Sequence, residues 1–205
     1  MEKRLEAVLS CRLKDAGLDL EMLLSGASQI VVFGSFAAGL NVPLSDLDVV
    51  CIGNGTRLKN RFLDLCWVSD ENVCKYEWLG SELAGHVAKY GVWLNGPDDW
   101  RGATFTSNAA IERKRRRILS LARTVSRLWE RLHPIFRAQY DVTIRRELQR
   151  LKMLEAGISI PPTRVLDETW DTEGCSGLLQ FRDSIAKLRL YAGQSNAPDI
   201  LRRAS

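Results

Sequence analysis

No stretch of this 205-residue chain approaches the roughly 20 consecutive apolar residues that a membrane-spanning helix needs. The opening residues, MEKRLEAVLSCRLKD, also lack the apolar run of a signal peptide. Cysteine is scarce and poorly arranged for staples. Cys11, Cys51, Cys66, Cys74 and Cys175 are odd in number, widely spaced and contain no CxxC pair. That argues against a disulfide framework or a zinc site and for a reducing compartment. These absences together lead us to expect a cytoplasmic protein with no membrane partner. Internal repeats, low-complexity segments and Gly/Ser linkers are missing too.

What is present is ordinary in bulk and uneven in distribution. Hydrophobic residues make up 45% and charged residues 26%, as in soluble globular proteins. The length suits one ordinary domain or two small ones, and a chain this size buries roughly 70% of its unfolded surface. The net charge of +4 hides an asymmetry. Residues 1–105 carry 10 Lys and Arg against 14 Asp and Glu, whereas residues 106–205 carry 19 against 11. A basic second half could attract phosphates, nucleic acid or an acidic partner, although arginines also keep a helical surface soluble.

Periodicity divides the chain near Gly102–Ser107. Leu5, Val8, Leu9, Leu13, Leu20 and Leu23 predict one amphipathic helix, or two interrupted at Gly17. Gln29–Phe33, Leu47–Ile52 and Phe62–Val68 are short, apolar and rich in β-branched residues, which predicts neighbouring buried strands. A short helix and a turn at Pro43 fit between the first two. Asp70–Tyr90 reads as one helix capped by Gly91, and Val92–Leu94 as a last strand before Gly96-Pro97. Beyond residue 106 the pattern becomes helical. Ile111 to Leu132 mark a first helix stopping at His133-Pro134, and Phe136 to Leu151 a second ending near Gly157. A third covers about Ser176 to Tyr191. The expected class is α+β: a small mixed sheet flanked by helices, followed by an α-helical bundle.

The chemistry concentrates in Val31–Gly53, VVFGSFAAGLNVPLSDLDVVCIG. On a strand, Asp46 and Asp48 would project from the same face, and their repulsion would be costly without a cation between them. Hard carboxylate oxygens suit Mg²⁺, which completes its shell with water and substrate phosphates. Upstream, Gly34-Ser35 follows an apolar strand directly. Glycine permits close backbone approach, and a serine there can offer its hydroxyl and N–H to a phosphate, with a helix start adding further N–H groups. No GxxxxGK[ST] loop is present.

Phe33-Gly34-Ser35, ten residues, then Asp46-Leu47-Asp48-Val49 resembles the signature of the DNA polymerase β nucleotidyltransferase superfamily. Gly39 and Pro43-x-Ser45-Asp46 are similar to its small bacterial branch, which includes minimal nucleotidyltransferases and antibiotic adenylyltransferases. His86–Gly96 resembles the end of that domain. The resemblance implies a polymerase β-like catalytic domain over residues 1–105 and a helical C-terminal domain over 106–205. It implies that Gly34 and Ser35 hold the triphosphate, and that Asp46 and Asp48 bind two metals bridging its phosphates. It further implies a third carboxylate from a later strand, for which Asp64 is the best candidate, ahead of Asp70 and Glu71. The position after Ser35 is Phe36, where some relatives have Arg.

The expected reaction is Mg²⁺-dependent transfer of a nucleoside monophosphate, AMP from ATP in the branch resembled, to a hydroxyl of a small molecule such as an antibiotic, or of a protein. The alternative is a non-catalytic or antitoxin-like module of the same fold, binding a protein or RNA through its basic helices. Nucleic acid is the less favoured partner, and a homodimer is compatible with the sequence. Glu77, Glu82, Glu112 and Glu130 are unranked candidates for the acceptor's general base. Arg113–Arg117 could contact an anion or simply be a solvated helix turn. His86 reads as structural, and Trp100, Trp129 and Trp170 as residues that could line an acceptor pocket.

Overall fold

A computed structural model describes residues 1–172, with side chains to residue 168. The N-terminal helices are α1 (Glu2–Asp15) and α2 (Leu20–Gly26). Leu5, Leu9 and Leu13 recur every fourth residue and are buried along one side of α1. The chain leaves α1 through Gly17 in the left-handed region, and Asp19 caps α2 by accepting from the Glu21 N–H at 3.1 Å.

The strands are β1 (Ala27–Phe33), β2 (Leu47–Gly53), β3 (Leu58–Lys59), β4 (Leu63–Val68) and β5 (Val92–Asn95). They form one mixed sheet in the order β3-β4-β2-β1-β5. β2 is parallel to β4 and antiparallel to β1, and β5 lies antiparallel on the other side of β1. Both faces of the centre are covered. Val32, Leu47, Val49, Cys51, Leu63 and Leu65 pack with α1 and α2, while Val31, Val50 and Ile52 pack on the opposite side with Val73, Val87 and Trp100. This double burial explains the unbroken apolar runs of β1 and β2. The two-residue strand β3 was not expected; it is too short to carry a periodic signal.

A four-residue helix, α3 (Gly34–Ala37), links β1 to the loop before β2. The predicted single helix over 70–90 is instead three: α4 (Asp70–Val73), α5 (Tyr76–Leu79) and α6 (Glu82–Tyr90). Two extended residues break it, Lys75 and Ser81. Ser81 accepts from the Ala84 N–H at 3.0 Å, so its side chain starts a new helix rather than continuing the old one. Gly80 permits a close approach there, since a Cβ would stand 2.7 Å from the Ser107 Cβ.

Ser107 fixes the start of the helical region. Its hydroxyl donates to the Gly80 carbonyl at 2.7 Å and caps α7 (Asn108–Leu128) by accepting from the Ala110 N–H. A 3-10 turn (Trp129–Arg131) leads to α8 (Pro134–Glu155), whose N-cap is His133 and whose first residue is proline. α9 (Thr163–Thr172) follows the buried Pro161-Pro162 and was not foreseen. The helix expected over 176–191 lies outside the described residues. Of the inward positions expected on α8, Ile144 is buried, Tyr140, Leu148 and Leu151 are half-buried and Phe136 is exposed, while the helix also buries Leu154 and an acid, Glu147.

Candidate active site

Strand register brings the acids together. Phe33, the last residue of β1, pairs with Asp48 on β2, and Asp48 pairs with Asp64 on β4. Asp46 lies one residue ahead of β2 rather than within it, yet it lines the same cleft as Asp48. Gly34 adopts φ +70°, and a Cβ at this position would run into the Asp48 carboxylate. Only glycine lets the backbone turn so closely over that acid. Ser35 follows at once, and the chain folds back so that the Leu40 N–H donates to the Ser35 carbonyl at 2.8 Å.

These residues form one part of a cleft of about 610 Å³, within the range of small-molecule sites. Phe33, Gly34, Ser35, Ser45, Asp46 and Asp48 line it from the sheet, and Glu82 and His86 from α6. The rest comes from the helical region: Arg146 and Arg150 of α8, the Ile160–Pro162 turn, and Arg164 and Asp167 of α9. Sequence reasoning missed this second wall. The i, i+4 spacing of Arg146 and Arg150 was its one available trace, and it looked like ordinary helix solubility.

Burial pushes the Asp48 carboxyl up to about 7, and the neighbouring charges of Asp46 and Asp64 push in the same direction. Asp64 behaves differently. Partial burial alone would raise it, but hydrogen bonds and charge from Lys59 and Arg57 hold it below the ordinary carboxylate range. Lys59 of β3 pairs directly with Asp64, and Arg57 reaches it at 3.3 Å. Asp64 is therefore beside Asp48 in the sheet but does not line the cleft.

Among the described residues, no three or more His, Cys, Asp or Glu side chains are gathered closely enough to hold a metal ion. The donor chemistry nevertheless fits Mg²⁺. Asp46 and Asp48 offer hard oxygens to the cleft, Asp48 is disfavoured as an anion by its surroundings, and Asp64 has already drawn two cations.

His86 is more engaged than expected. Its Nδ1 lies 2.7 Å from the Ile160 carbonyl, and because a carbonyl only accepts, Nδ1 carries the proton and donates. The ring also meets Phe33 edge-on at 5.8 Å. The histidine thus joins the sheet side of the cleft to the helical side.

The other candidates separate clearly. Of the four glutamates, only Glu82 lines the cleft, and it pairs with Lys114 at 2.6 Å. Glu112 pairs with Arg115, and Glu77 borders a separate pocket of about 430 Å³. The Arg113–Arg117 run does not touch the cleft, and its second residue is no solvated charge. Lys114 is 6% exposed and reaches Glu147, itself 2% exposed, at 2.7 Å. Trp100 is buried, donating its Nε1–H to Gln29 at 2.8 Å, and so lines no acceptor pocket. The Trp170 side chain lies outside the described residues.

Residues 19–96, a stretch that includes Gly34, Ser35, Asp46, Asp48 and Asp64, match the family model of the nucleotidyltransferase domain. The mixed sheet with its helices and following helical region is consistent with a polymerase β-like domain followed by helices. No curated protein matches the chain. A crystal structure described as a toxin-antitoxin with AMP-PNP is similar at 20% identity over 41% of this chain and 78% of that one, with a TM-score of 0.28, too slight a likeness to argue from. The family match ends before residue 146, so it covers only one wall of the cleft.

Proposed function

We propose that the protein transfers a nucleoside monophosphate, AMP from ATP, to a hydroxyl of a small molecule or a protein. The observation that carries this reading is the pairing of the Gly34-Ser35 turn with Asp46 and Asp48 on one cleft, inside the matched domain. Gly34 and Ser35 would receive the triphosphate, their backbone free to approach because position 34 has no side chain. Asp46 and Asp48, with Asp64 beside them, would hold Mg²⁺. When bound, the metal supplies charge neutralisation for the phosphates and for the oxygens that attack and leave.

In the reaction the acceptor oxygen bonds to the α-phosphorus as the bond to the β-phosphate bridging oxygen breaks, and pyrophosphate departs. The hydroxyl proton goes to a carboxylate of the site, and Glu82 is the candidate outside the aspartate group. Ile160, Pro161 and Pro162 give the cleft an apolar flank beside these acids.

A second reading has one observation in its favour. Asp64 is neutralised by Lys59 and Arg57, while Arg113, Arg116 and Arg117 are exposed on α7. This suits a binding module that keeps the fold and engages a protein or RNA through its helices. Calorimetric titration with ATP, GTP, CTP and UTP in Mg²⁺ separates the two. Saturable binding of one triphosphate, lost in Asp46→Asn with Asp48→Asn, is the expected result. Absence of binding by every triphosphate would count for the module.

A further inference from the structure

We propose that the helical wall of the cleft is a phosphate-binding subsite, centred on Arg150 and supported by Arg146 and Arg164. It rests on the nucleotidyl-transfer reading above and extends it to residues beyond the matched domain. The subsite would take a phosphate group of a ligand that also reaches Asp46 and Asp48.

The first reason is the state of Arg150. Its Nη1 donates to Glu147 at 3.2 Å and its Nη2 to the Thr163 hydroxyl at 2.9 Å, so the guanidinium is fixed between α8 and α9. Its Nε is buried and has no hydrogen-bond partner among the described residues. The exposed part of this fixed, planar cation is its Nη end, where each nitrogen carries a second N–H beyond these bonds, and that suits a phosphate, whose oxygens accept in a fork.

The second reason is charge. Glu147 is already met by Lys114 at 2.7 Å and by Arg117 at 3.5 Å, and Lys114 also pairs with Glu82. Three cations, Lys114, Arg117 and Arg150, therefore share two carboxylates, Glu82 and Glu147. One positive charge is in excess, and Arg150 is the cation of the three that lines the cleft. Arg146 stands beside it, held by Asp167 through bonds of 2.8 and 2.6 Å. Its partner keeps it oriented but cancels its charge, so it contributes less.

The third reason is a link to the sheet side. Arg164 donates to the Leu40 carbonyl at 3.2 Å, and the Leu40 N–H bonds to the Ser35 carbonyl. The arginine wall is thus tied to the loop that carries Ser35. A ligand bound at Gly34-Ser35 and the diacid would lie within a cleft that also presents Arg150 and Arg164.

The phosphate has two possible sources, the tail of the nucleoside triphosphate or a phosphate on the acceptor. Titration calorimetry distinguishes them, using Mg²⁺ with ATP, inorganic tripolyphosphate and adenosine on the wild type and on Arg150→Met. A tenfold or greater loss of affinity for both ATP and tripolyphosphate, with adenosine unchanged, assigns the wall to the donor's tail. Unchanged ATP binding, together with loss of inorganic phosphate binding to protein saturated with a non-hydrolysable ATP analogue, assigns it to the acceptor. Equal binding of every probe by wild type and variant overturns the proposal. Should Arg150→Met fail to fold by circular dichroism, Arg164→Ala decides, since that side chain is 55% exposed. A loss of about threefold supports the wall, and no change overturns it. Wild type that binds tripolyphosphate but not ATP keeps the subsite and sinks the donor reading. Wild type that binds ATP with no effect of either variant sinks the subsite alone.

Discussion

The two walls of the cleft are built by different physics. The sheet wall is held by backbone geometry: three strands in fixed register, a glycine turned to φ +70°, and acids at the ends of β2 and β4. The helical wall is held by side-chain electrostatics: Lys114 to Glu147 across α7 and α8, Arg146 to Asp167 and Arg150 to Thr163 across α8 and α9. A wall of the first kind tolerates changes of neighbouring charge but not of backbone shape. A wall of the second kind does the reverse.

The largest effect should come from Lys114→Met. Glu147 is almost wholly buried, and removing its closest partner leaves a desolvated carboxylate dependent on Arg150 and the more distant Arg117. Breaking a buried pair on one side typically costs about 3 kcal/mol or more, while replacing both members with apolar side chains is close to neutral. Chemical denaturation of Lys114→Met and of Lys114→Met with Glu147→Leu should therefore rank the double variant as the more stable. Equal loss in both would mean that the wall relies on packing and that the contrast is false.

Gly34→Ala tests the sheet wall and should be the next largest. The left-handed backbone costs an alanine roughly 1–2 kcal/mol, and the new Cβ would also run into the Asp48 carboxylate. Stability falls modestly, but the diacid is displaced, so nucleotide binding should fall much further than stability does. Thermal melting beside calorimetry reads both quantities. A variant that melts early yet still binds nucleotide normally would show that the position of Asp48 is not what the glycine protects.

The same contrast explains what could be read from the sequence. Strands β1, β2 and β4 and the Gly34-Ser35 and Asp46-x-Asp48 pairs are local patterns, and local patterns survive in one dimension. Asp64 was reachable because a strand's apolar period makes a mid-strand acid conspicuous. Its neutralisation by Lys59 was not, because β3 is two residues long. The long helix over 70–90 was misjudged because apolar spacing ran through Lys75 and Ser81, where the backbone leaves the helix. Lys114 looked like one more charge in a basic run, and only a partner 33 residues away shows that it is buried. Glu82, Arg150 and Arg164 share a cleft through tertiary packing alone, which no spacing rule records.

The smallest effect concerns the contact that joins the two walls. Burial lowers the His86 pKa below its ordinary 6.5, although the bond to Ile160 partly opposes this. The folded protein therefore binds its proton less readily than the unfolded chain. The sign follows: His86 adds stability in its neutral form above about pH 6.5, and that stability is lost as pH falls toward the depressed folded value. The Arg150 guanidinium acts in the same sense by disfavouring the imidazolium, while Glu82 opposes it. His86→Leu removes the bond to the Ile160 carbonyl and should cost roughly 1 kcal/mol at neutral pH. It should also flatten the decline of stability between pH 7 and 5. Denaturation midpoints across that range check both. A variant that keeps the wild-type slope would show that another group titrates there, and that the joint between sheet and helices is independent of the imidazole's charge.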